Sequence, residues 1–257
     1  MRNANHGTYF KHGNGMLEIN TYPSKLDMVT MVGERIIEII NLTIQKQGNC
    51  SVALAGGTTP RDAYAYLTED CHRYRVDWQR VQLFWGDERM VAPEHPDSNY
   101  RMVKESLINR INIPDENVHR MRGEIAPDTA AAEYRQILKK KFSEQPPPFD
   151  LVLLGVGEDG HTASLFPGTS AIEEQVQPVV AVFVPRLKSW RITLTLPVLN
   201  AAKNIVFMVS GHAKSKIVQQ IINLEQPNKK LPATLIRPEN GRVWWMLDSE
   251  AVSLLNK

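Results

Sequence analysis

Short, unbroken apolar runs alternate with segments of helical spacing along most of this 257-residue chain. The runs are SVALA (from Ser51), VQLFW (Val81), DLVLL (Asp150), VVAVFV (Val179), ITLTL (Ile192), NIVFMVS (Asn204) and VWWML (Val243). A strand with no polar face must be covered on both sides, which is the condition of a parallel sheet packed between helices. The intervening segments supply those helices. Ser24 and Asp27 make a capping-box-like start; Leu26, Val29, Val32, Ile36 and Ile40 follow at helical spacing, and Gly48 ends the element. Thr59 reads as an N-cap with Pro60 at the first helical position, and Asp128 as the cap of a later helix. Helical segments also begin at Ser98 and near Lys214.

Strand and helix signals alternate on both sides of the stiff QPPP connector at Gln145–Pro148, so residues 21–257 read as a single α/β domain. The expected architecture is a three-layer, doubly wound, mostly parallel sheet of Rossmann-like type. The first 20 residues carry no apolar core of a signal peptide and read as a poorly ordered extension. A net charge of +2 gives no broad field for nucleic acid or a membrane surface, and no apolar run nears the roughly 18 residues that span a bilayer. Cys50 and Cys71 lack metal-ligand or redox spacing and read as free thiols of a reducing cytoplasm.

In such a sheet, ligands bind beyond the carboxyl ends of the strands. After the first run comes GGTTP, where Gly56 and Gly57 allow a tight turn into a helix start. The free N–H groups there, with the Thr58 and Thr59 hydroxyls, form an anion cradle. After the second comes GDERM, with Asp87, Glu88 and Arg89 at the end of a buried run. Arg89 suits bidentate recognition of a carboxylate or phosphate. The DSN at Asp97–Asn99 reads most simply as a helix cap.

After DLVLL, GVGEDG fits the G-x-G-x-x-G dinucleotide pattern. A nucleotide site needs an acidic residue about 20 positions on to hold a ribose, and the next run instead ends VFVPRLK. The pattern also falls late in the chain. His161 follows directly, next to Asp159, at what reads as the start of a helix, where the positive helix end keeps the ring neutral and able to accept a proton. Asp159 either opposes this or orients the ring. Arg191 and Lys214 complete a candidate set of cations for a small anion.

Taken in order, LAGGTTP, FWGDERMV with DSNYRM, DLVLLGVGEDGHTASLFPGT, RITLTLPVLNAAKNIVFMVSG with Lys214, and LPATLIRP resemble the 6-phosphogluconolactonase family, in the fold group shared with glucosamine-6-phosphate deaminase. The resemblance implies hydrolysis of 6-phosphoglucono-1,5-lactone in the oxidative pentose phosphate pathway, without metal or cofactor. It implies a cytoplasmic monomer or weak dimer whose partner is the phosphorylated sugar lactone. His161 matches the family's catalytic histidine, with Asp159 beside it. Substrate contacts fall on Gly56, Gly57, Thr58, Thr59, Asp87, Arg89, Gly157, Arg191 and Lys214. Ser189-Trp190 replaces the usual proline before Arg191, which affects the placing of that arginine. Two alternatives stand beside this reading: a glucosamine-6-phosphate deaminase using Asp87 as a base, and a non-catalytic sugar-phosphate sensor.

Overall fold

The computed structural model describes residues 8–12, 15–223 and 227–255, with side chains from 16 onward. The main sheet contains β1 (Thr8–His12), β2 (Gly15–Tyr22), β3 (Cys50–Leu54), β4 (Val81–Trp85), β6 (Val118–His119), β7 (Leu151–Leu154), β10 (Asn204–Val209) and β11 (Arg242–Asp248). Their spatial order is β1-β2-β11-β10-β7-β3-β4-β6, and every pairing but β1 with β2 is parallel. Helices α1 (Lys25–Gln47), α2 (Thr58–Leu67), α3 (Asn99–Ser106), α4 (Pro127–Lys141), α5 (Leu196–Asn200) and α6 (Ser215–Ile222) flank the strands. All residues of β3 and β7 are buried, as strands covered on both faces must be. One hydrophobic cluster runs through the described residues.

The expected parallel sheet needs two corrections. The runs at Val179 and Ile192 leave it: β8 (Val179–Val184) and β9 (Ser189–Leu194) form an antiparallel hairpin, joined by β5 (Asp87–Arg89) into a separate three-stranded sheet. Burial in β8 is uneven, with Phe183 exposed, so the apolar letters conceal a half-solvated strand. The second correction concerns the amino terminus. Part of the expected disordered extension is built into the sheet, because β2 pairs in parallel with β11 from Met16↔Arg242 to Tyr22↔Asp248. Residues 1–7 and 13–14 of that extension lie outside the described residues.

The first helix starts and stops as expected: the Ser24 side chain accepts from the Asp27 N–H, and Gly48 takes a left-handed φ of 87°. Leu26 is nevertheless exposed, and Met28 is buried in the face it was expected to share. No described helix is long and apolar enough to cross a membrane. Cys50 and Cys71 are both free thiols.

Chain order places β3 and β7 side by side while their connections run to opposite sides of the sheet. A crevice beyond their carboxyl ends is the topological consequence. Buried tyrosines hold the chain where it leaves the central strands. Tyr64 donates to the Ala55 carbonyl (2.9 Å) and accepts from its N–H (3.0 Å) at the end of β3. Tyr134 accepts from the Trp85 N–H (2.8 Å) at the end of β4. Burial pushes both phenols well above their ordinary pKa, so they remain neutral donors. Tyr64→Phe leaves both backbone groups of Ala55 without this partner. The expected loss is about 1–3 kcal/mol in urea unfolding, the range for orphaned buried polar groups.

Candidate active site

The crevice is a cavity of about 220 Å³. Its wall includes Gly56 and Gly57 after β3, Asp87 and Arg89 on β5, Gly157 and His161 after β7, and Lys214 after β10. The loops expected along one edge therefore do meet. A larger hollow of about 330 Å³ opens at the amino ends of β3 and β7. Its buried carboxylate, Asp150, is already committed to Ser51, Gln47 and Lys203, so it holds strand ends together.

The His161 loop is a set of turns, which corrects the expected helix start. Gly160 and Ala163 take left-handed φ values of 80° and 47°, incompatible with a helix through this segment. With no helix here, no helix end acts on the ring, and hydrogen bonding to Asp159 instead fixes its tautomer. His161 Nδ1 is bonded to Asp159 Oδ1. Arg186 pairs with the other carboxylate oxygen at 2.9 Å. Burial alone would raise the Asp159 pKa. The hydrogen bond and charge of His161, and then Arg186, override it and hold the carboxyl at about 2, against an ordinary 3.8. An ionised carboxylate only accepts, so Nδ1 carries a proton, and the neutral tautomer that this selects has its lone pair on Nε2. The depressed pKa contributes stability that is present above pH 3.8 and lost as pH falls toward about 2.

The ring is fixed on its other sides as well. It stacks on Phe166 with centroids 4.0 Å apart. Gly157 lies against it so closely that a Cβ there would overlap ring atoms, so this glycine is required by close approach. The Gly157 N–H donates to the His161 carbonyl at 2.9 Å and closes the loop on itself.

At the anion cradle, α2 begins at Thr58, earlier than expected. Its N-cap is Gly57, at φ 105°, with no side-chain cap. The first-turn N–H groups of Thr58 and Thr59 thus have no intrahelical acceptor and point beyond the helix end. The Thr59 hydroxyl, expected as the cap, instead bonds Ser210 at 2.8 Å and ties this turn to the loop leading to Lys214. Thr58 is exposed and, like Thr59, is not part of the cavity wall. Asp128 is likewise not a cap, since α4 begins at Pro127 after Ala126.

Asp87 lines the cavity but is almost fully buried, with both carboxylate oxygens engaged. Ser164 Oγ donates to one at 2.6 Å and Asn99 Nδ2 to the other at 3.2 Å. Glu88 points away and accepts from the backbone N–H groups of Arg89, Asn99 and Tyr100, each at 2.8 Å. Arg89 donates to the Asp97 carbonyl at 2.6 Å, while its buried Nε has no partner. Arg191 stands opposite Arg89 in register. Burial and then the Arg89 charge lower its pKa. Its guanidinium turns to Ser189 Oγ (2.6 Å) and the Trp190 carbonyl (2.9 Å), and it is not part of the cavity wall. Sequence reasoning missed Asn99, which lines the cavity and packs against Gly56, because its neighbour Ser98 is indeed the helix cap.

Among the described residues, one trio has the ligand types and proximity to hold a metal: Glu69, Cys71 and His72, on the surface. Arg75 Nη1 lies 3.2 Å from His72 Nδ1, and its charge opposes a cation there. The cavity contributes no such trio.

The fold recurs in known proteins. A 6-phosphogluconolactonase of Nostoc sp. is 34% identical over 237 residues, covering 91% of this chain and 96% of that one. One from Synechocystis sp. is 37% identical over 216 residues, covering 82% and 87%. The solved 6-phosphogluconolactonase of Trypanosoma brucei superposes with a TM-score of 0.80 at 30% identity, covering 96% of this chain and 99% of that one. Residues 23–245 match the family model described as glucosamine-6-phosphate isomerases/6-phosphogluconolactonase. The chain belongs to that family.

Proposed function

We propose that this chain hydrolyses 6-phospho-D-glucono-1,5-lactone to 6-phospho-D-gluconate, the lactone-opening step of the oxidative pentose phosphate pathway. The reading includes a cytoplasmic monomer or weak dimer that uses no metal or cofactor. The observation that carries it is the His161–Asp159 pair, which leaves a basic Nε2 at a cavity furnished with Arg89, Lys214 and an uncapped helix start.

His161 Nε2 takes a proton from water as the oxygen attacks C1 of the lactone. The C1 carbonyl becomes an oxyanion, which the Arg89 guanidinium on the cavity wall is suited to stabilise. Collapse breaks the C1–O5 bond, and the proton on His161 passes to O5. The new carboxylic acid ionises, so each turnover releases one proton. The phosphate sits at Gly57, Thr58 and Lys214, and its binding energy orients the ring carbonyl toward His161. Arg191 joins it only after releasing Ser189. Asp87 supports the site as a brace, since both its oxygens are occupied. The same occupancy counts against the deaminase reading, which needs this carboxylate free as a base.

The test is acid release from freshly generated lactone, corrected for spontaneous opening. His161→Ala is expected to lower kcat by about 10²- to 10⁴-fold with little change in 6-phosphogluconate affinity. An unchanged rate removes His161 from the mechanism. Lys214→Met is expected to raise KM at least about tenfold with a smaller effect on kcat, because it withdraws one charge-assisted phosphate contact. An unchanged KM places the phosphate elsewhere. Asp159, held at about 2, is expected to add no step of its own to the acid side of the kcat/KM profile above that pH.

A further inference from the structure

We infer that Arg186, at the tip of the β8–β9 hairpin, is a positioning residue that holds the Asp159–His161 pair in its working geometry and restrains the charge that Asp159 presents to the ring. This rests on the reading of His161 as the base. Asp159 divides its two oxygens between His161 Nδ1 and Arg186 Nη2. Phe166 carries the imidazole on its ring and also the Arg186 guanidinium, 5.2 Å from the ring centroid. Arg186 therefore touches both groups that aim His161, and it reaches them from a different element, the short turn Pro185–Leu187. Its side chain is 55% exposed, and an ion pair so open to water adds little to folding. The contact's consequence lies at the ring.

The charged groups around His161 are few. Its own loop supplies Asp159 and Glu158, the hairpin tip supplies Arg186, β5 supplies Asp87 and Arg89, and the entry to α6 supplies Lys214. The charge of Asp87 is engaged by Ser164 and Asn99. Removing Arg186 deletes a positive charge near the ring and leaves the Asp159 carboxylate to His161 alone. Both changes favour the protonated imidazole. They also free Asp159 to rotate, which loosens the aim of Nε2.

The experiment compares the intact protein with Arg186→Gln and Arg186→Lys by NMR titration of the histidine ring, alongside lactone kinetics. In Arg186→Gln the His161 titration midpoint is expected to rise by roughly half a pH unit. The kcat is expected to fall about tenfold with KM within about twofold, and Tm to stay at the wild-type value. Arg186→Lys keeps the charge and is expected to return the midpoint and most of the rate. A midpoint in Arg186→Gln that coincides with wild type overturns the inference. The kinetic arm is read only if His161→Ala is inactive. Should His161→Ala stay active, the base assignment fails by itself, and the titration still decides whether Arg186 governs the ring.

Discussion

The buried carboxylate of Asp87 is the joint on which the site depends. It sits at the start of β5, receives Ser164 from the His161 loop and Asn99 from the first turn of α3, and Asn99 in turn packs against Gly56. One charged group therefore fixes the relative positions of the histidine loop, the arginine strand and the anion loop. A buried charge is tolerated only when its hydrogen-bonding capacity is filled, and that requirement gives the joint its definite geometry. The Thr193 hydroxyl extends it by accepting from the Ser164 N–H at 3.2 Å, so β9 is included as well.

Two sheets divide the work. The main sheet supplies backbone: glycine turns at the ends of β3 and β7, and the uncapped start of α2. The small sheet supplies the arginines, with Arg89 on β5, Arg191 opposite on β9, and Arg186 at the hairpin tip, together with Asp87. Arg89 and Arg191 stand opposite each other in register; burial and then the Arg89 charge lower the Arg191 pKa, and the nearby carboxylates of Asp87, Asp97 and Glu88 oppose that shift.

Much of this was legible in the sequence, for physical reasons. Strands such as β3 and β7 announce themselves because burial on two faces leaves no room for a polar residue. His161, Gly157 and Arg89 stand out because each follows an apolar run directly, where a parallel sheet presents its ligand edge. Other features depend on contacts distant in sequence. The VVAVFV run looks like a central strand, yet β8 pairs only with β9 in the small sheet. GMLEINTY is a strand because β11, more than two hundred residues later, offers it a partner. The helix expected after His161 is broken by left-handed residues at Gly160 and Ala163, and a sequence cannot show which of several turns is taken. Arg186 belongs to the site only because a hairpin carries it there.

The central claim is one orientation of the sugar phosphate, with C1 at His161 Nε2 and the phosphate at the start of α2. A crystal structure with bound 6-phosphogluconate tests it most directly. The C1 carboxylate is expected within hydrogen-bond reach of His161 and Arg89, and the phosphate against Gly57, Thr58 and Lys214. A product bound the other way round, with its phosphate against His161, would contradict it.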